Sequence, residues 1–177
     1  MRPHPLTARL LPRLDGAGRV AVIGIGSPLH GDDAAGVIAA QSLDLLRSRA
    51  LKAGLASWPD RLAVFIGETT PENLTGPLKA AKPALVIVID AADLAKPPGH
   101  IELLDPADTT GITFSTHGLP LHVLADYLAA TAGCATMIVG IQPASCALGA
   151  PVSPAVKTAA LSVGRAIAAA LDHCPDK

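Results

Sequence analysis

The chain has 177 residues, a formal net charge of -1, and is half apolar with only 16% charged residues. Its length suits one domain, and the absence of clustered Lys and Arg removes the electrostatic basis for binding nucleic acid or an anionic membrane. No apolar run reaches the roughly 18 to 20 residues of a membrane-spanning helix, and residues 1–19 carry no signal-peptide core, so a cytoplasmic protein is expected.

Residues 1–19, "MRPHPLTARLLPRLDGAGR", read as a mobile or loosely docked N-terminal extension, and 20–173 as a single domain. Val20 to Gly26 is a short β-branched run ended by glycine, which predicts a buried strand. Val37, Ala40, Leu43 and Leu46 then recur at helical spacing, predicting a helix from Asp33 to about Ala50. "RLAVFIGE" is a second strand, and "TTPENLTGPLKAA" a short helix entered at Pro71 with Thr69 or Thr70 as cap. "ALVIVIDAAD" is the most apolar strand, expected to close at Asp90, with "KPPG" turning the chain into an edge strand "GHIELLDP" as a hairpin. "LPLHVLADYLAATAG" predicts a helix closed by Gly133, "ATMIVGIQP" the last strand, and Ser153 to about Leu171 a terminal helix with Pro154 in its first turn. The order predicts a three-layer α/β/α sandwich around about five strands, mostly parallel with one antiparallel. The apolarity comes from Ala, Val, Leu and Ile with 2% aromatics, which suits strands buried on both faces.

Open sheets of this kind bind ligands beyond the carboxyl ends of their strands. Four polar residues fall there: Asp32 and Asp33 after the first strand, Asp90 closing the third, and His117 at the entry to the helix after the hairpin. Asp32 reads as a helix cap and Asp33 either as a complement to the helix dipole or as a functional acid. Asp90 leaves an apolar strand and must find water, a donor or a cation. His117 alone would be a cap or surface group, with His30 and His122 as competitors; together with two carboxylates it makes a mixed oxygen and nitrogen site for a divalent transition metal. Cys134, Cys146 and Cys174 fall in no metal-ligand spacing and read as reduced thiols outside that site. Gly24 and Gly26 match the start of a dinucleotide fingerprint, but Leu29 holds the third glycine position and two aspartates follow. An oxidoreductase reading rests on those two glycines alone.

Five segments, "GIGSPLHGDDAAG", "TTPEN", "VIVIDAADL", "STHGLP" and "VGIQP", occur in an order that resembles the nickel-iron hydrogenase maturation endopeptidases, above all the branch serving hydrogenase-3. The resemblance implies a monomeric aspartyl-type peptidase that removes the C-terminal tail of a nickel-loaded hydrogenase large-subunit precursor. It implies Asp33, Asp90 and His117 as metal ligands and nickel brought by the substrate with no organic cofactor; for the hydrolysis itself, either the metal polarises the scissile carbonyl or a water, or Asp33 or Asp90 is the catalytic general base. Glu72, Gln142 and His30 are secondary candidates for substrate contact, against the plainer reading that such polar groups at loop entries satisfy backbone. A nickel-binding accessory protein that cleaves nothing is the alternative.

Overall fold

The computed structural model describes residues 4–54, 56, 58–109, 112–114 and 120–174. Among these residues five α-helices, α1 (Pro5–Leu14), α2 (Ala35–Ala53), α3 (Thr75–Ala81), α4 (Leu121–Ala132) and α5 (Pro154–His173), flank a sheet. Its strands are β1 (Val20–Ile25), β2 (Leu62–Glu68), β3 (Leu85–Asp93), β4 (Ile101–Leu104), β5 (Thr113–Phe114) and β6 (Ala135–Ile141). The main path runs β2-β1-β3-β6-β4, parallel except for β4, and β5 pairs antiparallel with the far end of β3. This is the expected three-layer arrangement.

Side-chain alternation divides the core in two. Val20, Val22, Leu85, Ile87, Ile89, Met137 and Val139 face a layer of α1, α2 and α5, while Ala21, Ile23, Ile25, Val86, Val88 and Ile138 face α3 and α4. Because both faces are covered, the strands are continuous apolar runs rather than alternating ones. Close approach of α2 to the sheet is set by glycine: a Cβ on Gly36 would collide with the carbonyls of Ile25 and Ile89, and one on Gly24 with the Gly36 carbonyl. Gly26 has φ +122°, and a side chain there would overlap the Asp33 carbonyl. The glycines that resembled a dinucleotide fingerprint thus bring helix, turn and sheet into contact.

Four expectations are corrected. The N-terminal segment is not loosely docked: α1 buries Leu6, Leu10 and Leu14 in the same core as α5. Arg9 donates to the Leu103 carbonyl at 2.8 Å, and Arg61, buried itself, reaches the Leu14 and Cys174 carbonyls at 3.3 and 2.5 Å. The amphipathic spacing of Leu6, Leu10 and Leu14 was the available signal. β3 does not close at Asp90 but continues to Asp93, because Ala92 and Asp93 find a partner in β5. β4 is the antiparallel edge strand expected, yet it pairs with β6 and makes no hairpin with β3. Finally, Pro71–Leu74 forms a 3-10 turn and α3 begins only at Thr75, with Leu74 at its cap position and no side-chain cap.

Candidate functional site

β1 is flanked by β2 on one side and β3 on the other, so the chain turns opposite ways from the carboxyl ends of β1 and β3. A crevice opens at such a switch point. Asp33 lies in the 3-10 turn Gly31–Ala34 that follows β1, and Asp90 lies on β3. Of the two acids picked from the sequence, one therefore sits in the turn that leaves β1 and the other on β3, the two strands that define the crevice.

A cavity of about 230 Å³ is lined there by His30, Asp33, Ala91, Asp93, Thr113, Phe114, Pro143 and Cys146. Asp33 is 1% exposed; its Oδ2 accepts from the Ser27 N–H at 2.6 Å, and its Oδ1 is buried with no hydrogen-bond partner among the described residues. A carboxylate oxygen held out of water without a donor is costly unless a proton or a cation meets it. Asp90 is fully buried beside cavity-lining Ala91. Its position within the strand places it with Val86 and Val88 on the α3/α4 side. The field of both acids converges on Cys146. Desolvation of the sulfur first, then the charges of Asp33, Asp32 and Asp90, push that thiol above its ordinary value, and the Asp33 backbone offsets this only in part.

Asp32 has a different task from the one its position announced. It does not cap the helix it precedes. Its Oδ2 accepts from the N–H groups of Ala144 and Ser145 at 2.8 and 3.2 Å and from Ser153 Oγ at 3.0 Å, and its Oδ1 accepts from the Ser153 N–H at 2.6 Å. Burial alone would raise its pKa, but these four donors hold the carboxyl below the ordinary aspartate value. Ser153 is in turn the cap of α5, accepting from Val156 N–H. One buried carboxylate thus fastens the β6–α5 loop, including Cys146, against the turn that carries Asp33.

The remaining sequence candidates separate. His30 lines the cavity. Gln142 makes hydrogen bonds within the loops: its Oε1 accepts from Leu94 and Lys96 N–H at 2.6 and 3.2 Å, and its Nε2 donates to Asp93 Oδ1 and the Pro143 carbonyl, both at 3.3 Å. Its amide is committed to holding the segment after β3, the plainer of the two readings. Glu72 falls in the turn after β2, with its side chain outside the described residues. His117 also lies outside them, and His122 is exposed on α4. Among the described residues no three His, Cys, Asp or Glu side chains gather as a metal-holding group. Missing from the sequence reading was Cys146. Its only signal was position, just past the last parallel strand at the binding edge of the sheet.

Comparisons with known proteins agree with this architecture. The family model HycI, described as hydrogenase maturation protease, matches residues 49–173. A hydrogenase maturation protease predicted in Methanocaldococcus jannaschii is 31% identical over 134 residues, spanning 76% of this chain and 78% of that protein. The hydrogenase 3 maturation protease of Escherichia coli K12 is 29% identical over 140 residues, 78% of this chain and 82% of its own. The crystal structure of the [NiFe] hydrogenase maturation protease HycI from Thermococcus kodakarensis superposes with a TM-score of 0.79 at 31% identity, covering 92% of this chain and 98% of that one. With Asp33 lining a cavity at the sheet's switch point, and with this breadth of similarity, the chain belongs to the hydrogenase maturation protease family and is a peptide-bond hydrolase of that family.

Proposed function

We propose that this chain is a cytoplasmic, monomeric endopeptidase that removes the C-terminal tail of a nickel-loaded hydrogenase large-subunit precursor of the hydrogenase-3 type. Asp33, Asp90 and His117 offer two carboxylates and an imidazole to nickel that the precursor carries in, a donor set suited to that ion. The observation that carries the reading is Asp33 Oδ1, buried at the cavity and without a hydrogen-bond donor among the described residues. A precursor with bound nickel supplies positive charge to Asp33 Oδ1, whereas one without nickel brings none. Metal loading then becomes a condition for docking. Asp33 and Asp90 are also the groups able to take a proton from an attacking water, a contribution of roughly 10² to 10⁴ in rate.

The test is intact-mass analysis of a hydrogenase-3-type large-subunit precursor, with and without nickel, after incubation with the native protein, Asp90→Asn and His117→Ala. Loss of one defined C-terminal segment is expected only with nickel and only with the native protein. Full processing by Asp90→Asn would refute the site, and an unchanged mass for a verified nickel-loaded precursor would refute the substrate.

A further inference from the structure

Leu29 and Leu148 are the most exposed large apolar side chains among the described residues, at 69% and 74%. A solitary exposed leucine needs no explanation. These two, however, stand on the two loops that border the cavity, and the loops are joined there: Gly149 N–H donates to the Leu29 carbonyl at 2.8 Å. Leu29 precedes cavity-lining His30, and Leu148 follows cavity-lining Cys146 by two residues.

The platform is fixed. Asp32 N–H donates to the Ser145 carbonyl at 3.0 Å while the Asp32 carboxylate gathers Ala144, Ser145 and Ser153. The loops also pack so closely at Gly31 that an added Cβ would lie 2.8 Å from the Ser145 carbonyl and 3.2 Å from the Ala150 Cβ. Apolar groups on a fixed backbone lose little freedom when a partner docks, so more of their burial appears as affinity.

The chemistry of the rim points to one kind of partner. Residues 26–34 and 142–153 contain no Lys or Arg, so they offer nothing to an acidic surface. The adjoining cavity wall is apolar at Ala91, Phe114 and Pro143. The two loops that carry the pair also supply His30, Asp33, Pro143 and Cys146 to the cavity lining. Resting on the assignment of a hydrogenase precursor as substrate, we infer that Leu29 and Leu148 form an apolar docking rim for an uncharged, apolar patch of that precursor beside its tail. The rim sets how tightly the substrate is held and takes no part in the hydrolysis itself.

The experiment is steady-state processing of the nickel-loaded precursor by the full-length protein, by Leu29→Ser/Leu148→Ser, by Leu29→Met/Leu148→Met, and by Leu45→Ser/Leu51→Ser as a control on exposed leucines of α2. The rim serine variant should raise KM by about ten- to a hundredfold, as expected for two buried apolar anchors, with kcat within about twofold. The methionine variant should restore KM, and the α2 variant should leave it unchanged. An unchanged KM in the rim serine variant overturns the inference, as does a fall in kcat without a rise in KM or an equal effect from the α2 control. Failure of the native protein to process the precursor would overturn the substrate assignment and the rim with it, and would be seen in the native arm alone.

Discussion

Replacing Asp32 by Asn tests whether one buried carboxylate fastens the two loops of the site. The native side chain receives four hydrogen bonds, three at Oδ2 and one at Oδ1, from groups more than a hundred residues away in the sequence. Asparagine keeps the shape but has one oxygen. If that oxygen stays with Ala144, Ser145 and Ser153 Oγ, the new NH₂ faces the Ser153 N–H, donor against donor. Hydrogen bonds to a charged group contribute roughly 1.5 to 3 kcal/mol each, and a buried unsatisfied donor costs roughly 1 to 3 kcal/mol. Losing one such bond, weakening three and stranding one donor gives a destabilisation of about 3 kcal/mol. With a urea m-value of about 2 kcal/mol/M for a domain of this size, the unfolding midpoint should fall by about 1.5 M near neutral pH.

The same carboxylate has a pH signature. Its folded-state pKa is lowered, so its contribution is present above the unfolded aspartate value and lost as pH falls through the folded one. The gap in midpoint between native and Asp32→Asn should therefore be full at pH 7 and shrink below about pH 4. A midpoint shift smaller than about 0.5 M at pH 7, or a gap that widens in acid, would refute the argument.

Asp33→Asn should separate function from stability: processing should fall by at least about 10²-fold, while the melting temperature holds or rises, because a buried carboxylate oxygen without a described donor is no longer charged. A marked drop in melting temperature would show that Asp33 is structural. Leu10→Ala, in the helix first read as an extension, should cost about 2 to 5 kcal/mol in chemical unfolding, since Leu10 is fully buried; a cost under about 0.5 kcal/mol would return α1 to a loosely docked segment. Gly36→Ala should sharply reduce soluble yield or stability, because its Cβ meets the Ile25 and Ile89 carbonyls rather than a movable side chain; a near-native melting curve would contradict the packing of α2 against the sheet.

What the sequence determined by itself was local and periodic. Runs of β-branched residues too apolar for a half-exposed sheet required cover on both faces, and Gly133 and Ser153 marked helix ends through their own backbone chemistry. The acids after the first and within the third strand could be placed at the carboxyl edge because strand order and handedness leave few alternatives. The tertiary structure decided everything that depended on contacts distant along the chain. β4 passes β3 and pairs with β6, and β3 runs past Asp90 because β5 meets it there, both pairings between segments whose own sequences name no partner. Asp32 and Asp33 are adjacent and chemically identical, yet one meets four donors from the β6–α5 loop while the other keeps a buried oxygen without a described donor. Cys146 matched no ligand spacing, but the fold brings it beside that oxygen's cavity. Periodicity reports which way a side chain faces within its own element. Whether a carboxylate is satisfied depends on which remote backbone the fold delivers to it.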